Sequence, residues 1–297
     1  MRRALALLCL TVGCQPSFDR LPSSIDQPRV LAVRSEPPEA RPGTRIALEA
    51  LLVDVTGPVS GAAASWAFCM KPRPAADSNT FSSLCLEAAS SSLLPLVTGA
   101  DPLTASALLP TAGCAVFGSE PAPPKPGEPP LRAADPDASG GYYQPVRLTV
   151  GAGQPVAFAQ IRLQCALPQA PAAVAQAFRD GYHPNKNPGL TELAFAGGAT
   201  TVARGASVLL FATWPADDAE PYLAYDLKSS TLQDRVETLR VAWFATAGTL
   251  ASDPTLHQGG AEVAWAAPAV PGTAHFWAVL RDDRGGMGWK HLAVEVR

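Results

Sequence analysis

The stretch 206-ASVLLFATW-214 alternates: Val208, Leu210, Ala212 and Trp214 stand on one side of an extended chain. Period-two patterning over so short a run marks a β-strand with one face in a core. Its neighbours extend the reading. Ahead of it, 190-LTELAFAGG-198 reads as a short strand and 200-TTVARG-205 as a connection; behind it, 237-ETLRVAWFATAG-248 places Leu239, Val241 and Trp243 on one face. The first half of the chain repeats this order. There 30-VLAVRS-35 is a short strand, 36-EPPEARPG-43 a turn-rich connection, and 44-TRIALEALLVDV-55 puts Ile46, Leu48, Ala50 and Leu52 on one face, before 65-SWAFC-69 brings in Trp66. A tryptophan on the third strand of a sandwich plugs the space between its sheets. The expectation is an all-β protein made of two related β-sandwich domains in tandem.

The tail, 261-AEVAWAAPAVPGTAHFWAVLRDDRGGMGWKHLAVEVR-297, carries Trp265 and Pro268, a Pro271-Gly272 turn, an alternating strand from Ala274 to Leu280, an Asp283-Arg284-Gly285-Gly286 turn, and a last strand through Leu292, Val294 and Val296. In these elements it resembles the closing strands of bacterial immunoglobulin-like and PKD-like repeats. The resemblance covers residues 190–297 well and 28–70 weakly, and implies immunoglobulin-like sandwiches. The chain as a whole is also similar to the lipoproteins of myxobacteria, which implies an address and no activity.

The N-terminus points the same way. Arg2 and Arg3 precede an apolar run from Ala4 to Val12, and Gly13 precedes Cys14, which together read as an export signal. The run is too short to span a bilayer. The stretch Leu10-Thr11-Val12-Gly13-Cys14 resembles a bacterial lipobox, with Thr where Leu is commonest, and so implies an acylated Cys14. An N-terminus with more than one acyl chain holds a domain on a membrane. Gln15 after the cysteine implies, by resemblance to the enteric sorting rule, the outer membrane. The predicted organisation is a signal peptide over 1–13, a tether over 14–29, a first immunoglobulin-like domain over 30–168, a short helix and linker over 169–189, and a second immunoglobulin-like domain over 190–297.

Cys69, Cys85, Cys114 and Cys165 remain after the signal and the anchor, and an even number in an exported chain favours two disulfides. Three pairings are possible; we expect Cys69–Cys85 as a local clip and Cys114–Cys165 as a longer pin. The reason for them is the stretch 70–141, whose Ser-rich and Pro-dense segments read as a long irregular insertion in the first domain. Cross-links lower the cost of ordering such a segment.

Catalytic apparatus is not legible. The sequence contains no nucleophile elbow, HExxH, P-loop or GxGxxG. The net charge of −3 offers no basic footprint for nucleic acid. His275 and His291 could face each other on neighbouring strands, as polar positions of a sheet face. The acidic groups Asp135 and Asp137, and Asp217, Asp218, Glu220 and Asp226, lack EF-hand spacing and read as turn chemistry. Asp282 to Gly286 likewise reads as a hairpin turn. No metal or cofactor is expected. Of six tryptophans five lie in the second domain, and Trp277 and Trp289 are the candidates for exposure to a ligand. The expected function is a non-enzymatic, lipid-anchored cell-envelope protein, structural or interacting with an envelope protein partner. The alternative is a glycan-binding surface lipoprotein that meets polysaccharide through those aromatics.

Overall fold

A computed structural model describes residues 21–73, 81–87, 91–118, 126, 141–151, 156–167 and 170–297. Cys14 lies outside them. The first sandwich is built from β1 (Arg29–Glu36), β2 (Arg45–Asp54), β3 (Ala64–Cys69), β4 (Thr104–Leu108), β5 (Gly141–Val150) and β6 (Ala157–Gln164). One sheet runs β1-β2-β4, and the other places β5 between β6 and β3. The alternation in β2 works as its pattern demands: Ile46, Leu48, Ala50 and Leu52 are all buried against Trp66, Phe68, Val146 and Ile161 of the facing sheet. Trp66 plugs this core and donates its indole N–H to the Pro102 carbonyl at 2.9 Å, which removes the cost of burying an unpaired donor.

The second sandwich comprises β7 (Glu192–Phe195), β8 (Ser207–Thr213), β11 (Arg240–Ala245), β12 (Gly260–Ala266), β13 (Gly272–Arg281) and β14 (Met287–Val296), with a hairpin of β9 (Pro221–Asp226) and β10 (Thr231–Val236) set apart from both sheets. Its sheets run β7-β8-β12 and β14-β13-β11. Trp265 and Phe276 meet edge to face at 4.8 Å in the core. The Trp265 indole donates to the Ala247 carbonyl, and the backbone there approaches so closely that a Cβ on Gly248, at φ +72°, would stand 2.4 Å from the indole nitrogen. Only glycine fits.

The repeat read from the sequence is also a repeat of topology. In each sandwich the first strand pairs antiparallel with the second, and a two-residue strand then crosses to the other sheet to lie parallel to the last strand: Glu39–Ala40 on β6, and Thr201–Val202 on β14. Pro37 and Pro38, which lack an amide proton, carry the chain across in the first domain.

Three readings change. The stretch 70–141 is not irregular throughout: Leu93–Pro95 pairs with β3, and Thr104–Leu108 is a full member of the first sheet. Pro density in the sequence masked these short strands. The disulfides pair as expected, Cys69 with Cys85 and Cys114 with Cys165. The first holds residues 81–87 as a strap over the outer face of β3 and β5, helped by a Phe81–Phe158 stack and by Arg147 donating to the Leu86 carbonyl. The second ties α1 (Gly113–Phe117) to the residue following β6. Next, the end of the expected tether is packed: Ser24 bridges Ala245, and Ile25 is 1% exposed. Last, the domains are not strung end to end with a bare linker between them.

Candidate functional site

The junction between the sandwiches concentrates the unusual chemistry. The outer face of β1 and β2 packs on the outer face of β11, β13 and β14, so that Leu31, Ala32, Leu51 and Val53 meet Phe244, Trp277 and Val279 in a third apolar cluster with Ile25. A bulge at Leu31 lets two successive residues, Leu31 and Ala32, reach this seam. The second half of β2 and most of β13 are therefore buried on both faces. Their apolar residues run without a break, as Leu51-Leu52-Val53 and as Phe276 to Leu280.

Trp277 is thus corrected from a candidate for exposure to a fully buried seam residue, 0% exposed. The reason lies in its face: it shares with Val279 the side of β13 opposite the core, and the first domain covers that side. Trp289 is half-buried at the seam's edge, with the Arg34 guanidinium 4.8 Å above its ring. The two do not form an open aromatic platform.

At one end of the seam a buried ionic network replaces apolar contact. Arg284, from the turn between β13 and β14, is ion-paired through Nε with Glu237 and through Nη2 with Glu220 (3.3 Å), and Nη1 donates to the Tyr182 hydroxyl and the His183 carbonyl. Its guanidinium also lies 4.7 Å from the Tyr222 ring centre. From the first domain, Glu39 accepts from the Tyr182 hydroxyl (2.7 Å) and the Asn185 amide (3.0 Å), and pairs with Arg162 at 3.3 Å and more distantly with Arg284 at 3.8 Å. Glu39, Arg162, Glu237 and Arg284 are all buried. Burial pushes the Glu237 carboxyl up to about 7, with Arg284 pulling back, and pushes the Tyr182 hydroxyl up to about 12.

The stretch read as a linker supplies the connecting groups. α2 (Ala172–Gly181) presents Phe178, which stacks on Tyr182 at 4.6 Å. Asn185 donates to Asp282, and Asn187 donates to the Ser35 carbonyl and Glu36 while accepting from the Met287 amide. Two asparagines thus hydrogen-bond to both domains. In the sequence Arg284 reads only as turn chemistry and Glu39 as part of a turn-rich connection, because the partners are separated by up to 245 positions.

The other end of the seam holds the histidines. His275 Nδ1 and His291 Nε2 are 3.0 Å apart, their rings nearly parallel, and both stack near Trp277. The turn Asp54–Gly57 of the first domain rests on His275: a Cβ on Gly57, at φ +124°, would come within 2.9 Å of the imidazole. Burial lowers both histidines below their usual value, and His275 lowers His291 further. A depressed folded-state value gives stability that is full above the unfolded value of about 6.5 and lost as the pH falls through the folded one. Glu237 acts oppositely, since the folded chain takes up its proton between about 7 and 4.5. Comparison with a variant isolates the histidine effect. Between pH 7.5 and 5, the melting temperature of the native chain should fall more than that of His291→Gln, and equal slopes would dismiss the histidines as its source.

Of the acidic groups weighed for calcium, Asp218, Glu220 and Asp226 serve structure. Asp218 accepts from the Gly189 amide, Glu220 takes Lys186 and Arg284, and Asp226 accepts from Lys228 and Ser229. Asp135 and Asp137 lie outside the described residues. Among the described residues no three metal-ligating side chains converge. A groove of about 430 Å³ opens on the uncovered half of the β1-β2-β4 face, lined by Arg34, Glu36, Ala47, Glu49, Val97 and Ser106 among others.

These features define a pair of immunoglobulin-like β-sandwiches stacked face to face. No protein-family model and no curated protein sequence matches the chain. The chain overlaps a number of solved structures. They include invasin, a bacterial integrin-binding protein (14% identity, TM-score 0.23, 91% of this chain and 39% of that one), and domains 4 and 5 of the S-layer protein SbsC (9%, 0.21, 90% and 98%). A third is the N-terminal Ig1-2 module of the Drosophila receptor protein tyrosine phosphatase DLAR (11%, 0.25, 91% and 99%). The chain thus spans about two fifths of the invasin chain.

Proposed function

We propose that this chain is a non-enzymatic, lipid-anchored protein of the cell envelope, acting as a structural or protein-interaction module. The observation that carries the reading is the use made of its buried polar side chains. Glu39, Arg162, Tyr182, Glu237 and Arg284 are turned on one another across the domain junction, and so serve to fix two sandwiches in one arrangement. A fixed pair of sandwiches suits a spacer or a presented surface better than a hinged catalyst. The export signal and the lipobox-like stretch ending at Cys14 support the anchor. Among the described residues no helix is long and apolar enough to cross a membrane.

Cross-linking in intact cells, followed by affinity purification and mass spectrometry, tests this against a Cys14→Ala version. Envelope proteins recovered reproducibly with the native form and lost with the variant are the expected result. Recovery of the same partners from both forms would remove the anchor from the reading, and recovery of polysaccharide without protein would replace the interaction module by the glycan-binding alternative.

A further inference from the structure

We infer that the end of the molecule bearing Leu21, Val55 and Val270 is a membrane-apposed face whose partner is the lipid bilayer itself; the inference rests on acylation of Cys14 as proposed above. Its ground is where the chain enters the fold. Ile25 donates to the Ala245 carbonyl and Ala245 to the Ser23 carbonyl, each at 2.9 Å, and the Ile25 side chain is sealed in the seam. The tether therefore ends early. From Cys14 to Leu21 the chain has seven residues, which reach at most about 25 Å fully extended. A ten-residue strand such as β13 is itself about 33 Å long, so the anchor is shorter than the sandwich it holds and the entry end stays nearest the lipid.

The chemistry of that end suits the partner. Leu21 is 53% exposed, just ahead of the pinned Ser24. Val55, 51% exposed, tips the turn that rests on His275, and Val270, 71% exposed, tips the loop leading into β13. Arg29, Arg204 and Arg297 are exposed at the same end, opposed by Asp26, Asp54 and Glu295. These charges roughly cancel, so the contact is apolar and does not require anionic headgroups. Exposed apolar side chains occur elsewhere, Val97 and Val236 among them; it is the short reach that selects this end. The groove beside Arg34 and Glu36, at the other end of β1, then points away from the bilayer.

The test uses the full lipidated chain on vesicles of phosphatidylethanolamine with phosphatidylglycerol, and on vesicles of phosphatidylcholine alone. Amide hydrogen exchange is compared with that of a variant carrying a twenty-residue Gly/Ser insertion between Arg20 and Leu21. Exchange at 54–57 and 267–271 should slow several-fold on both vesicle types, recover in the extended variant, and stay unchanged at 97–106. Mass spectrometry of the N-terminal peptide accompanies it. Acyl chains at Cys14 without protection at 54–57 and 267–271 overturn the bilayer contact alone, whereas an unmodified Cys14 overturns both this inference and the anchor.

Discussion

Arg284→Ala should cost about 3 to 5 kcal/mol of unfolding free energy at pH 8, the range found when one partner of a buried ion pair is removed and the other stays charged. Arg284 is 1% exposed and Glu237 is buried beside it, so the variant strands a carboxylate where water cannot reach. Glu39 is less affected, because Arg162 and Tyr182 remain. The remedy available to Glu237 is to take a proton, and burial already holds its carboxyl near 7. The deficit should therefore shrink at pH 5.5. Urea unfolding followed by tryptophan fluorescence at both values reads it. A second variant guards against simple misfolding: Arg284→Met with Glu237→Gln removes both charges and should recover much of the loss. A deficit under about 1 kcal/mol, or one indifferent to pH, would mean that Arg284 does not neutralise a buried charge.

Trp277→Ala should cost a similar amount, about 3 to 5 kcal/mol, through the cavity left by a large buried ring. The ring fills the seam between Val53 and Leu51 on one domain and Val279 and Phe244 on the other, so its loss should loosen the junction rather than either core. Trp277 shares with Trp243, and not with Trp66 or Trp265, a buried indole N–H that has no acceptor among the described residues. Trp277→Phe keeps most of the apolar contact and removes that unpaired donor, and should cost far less than the alanine change. Trp289, half-buried under Arg34, should tolerate alanine better than Trp277 does. Thermal unfolding of the three variants decides. An alanine variant of Trp277 as stable as the native chain, but deficient in binding polysaccharide, would return that residue to the ligand role its packing denies it.

Most strands of the two cores were legible because they have one wet face. In β8 and the residue after it, Leu210, Ala212 and Trp214 are buried while Ser207 and Leu209 stand out, and the alternation declares the strand and its inward side together. The same rule misleads at β13. Phe276 to Leu280 is an unbroken apolar run because one side faces the core and the other faces the first domain, and a period of two assigns Trp277 to solvent by default. Continuous runs in β2 and β13 are the signal of two-sided burial. They show that something covers the second face, but not which surface does so.

Cysteine count and position, turn chemistry and the repeated order of strands follow from local composition, and these sufficed for two sandwiches, the first of them stapled by both disulfides. The meeting of Glu39, Arg162, Tyr182, Glu237 and Arg284 belongs to the tertiary structure alone. A charged residue in a sequence is read as a solvated one, because ionised groups are costly to bury. That cost is met here only by partners that chain folding brings from five separate segments. The same holds for Ile25: the polar, proline-punctuated stretch around it looks like tether until the edge of a sheet from the other end of the chain offers Ala245 to pair with. Which faces of the sandwiches are covered is a matter of shape complementarity between surfaces far apart in sequence, and local periodicity carries no record of it.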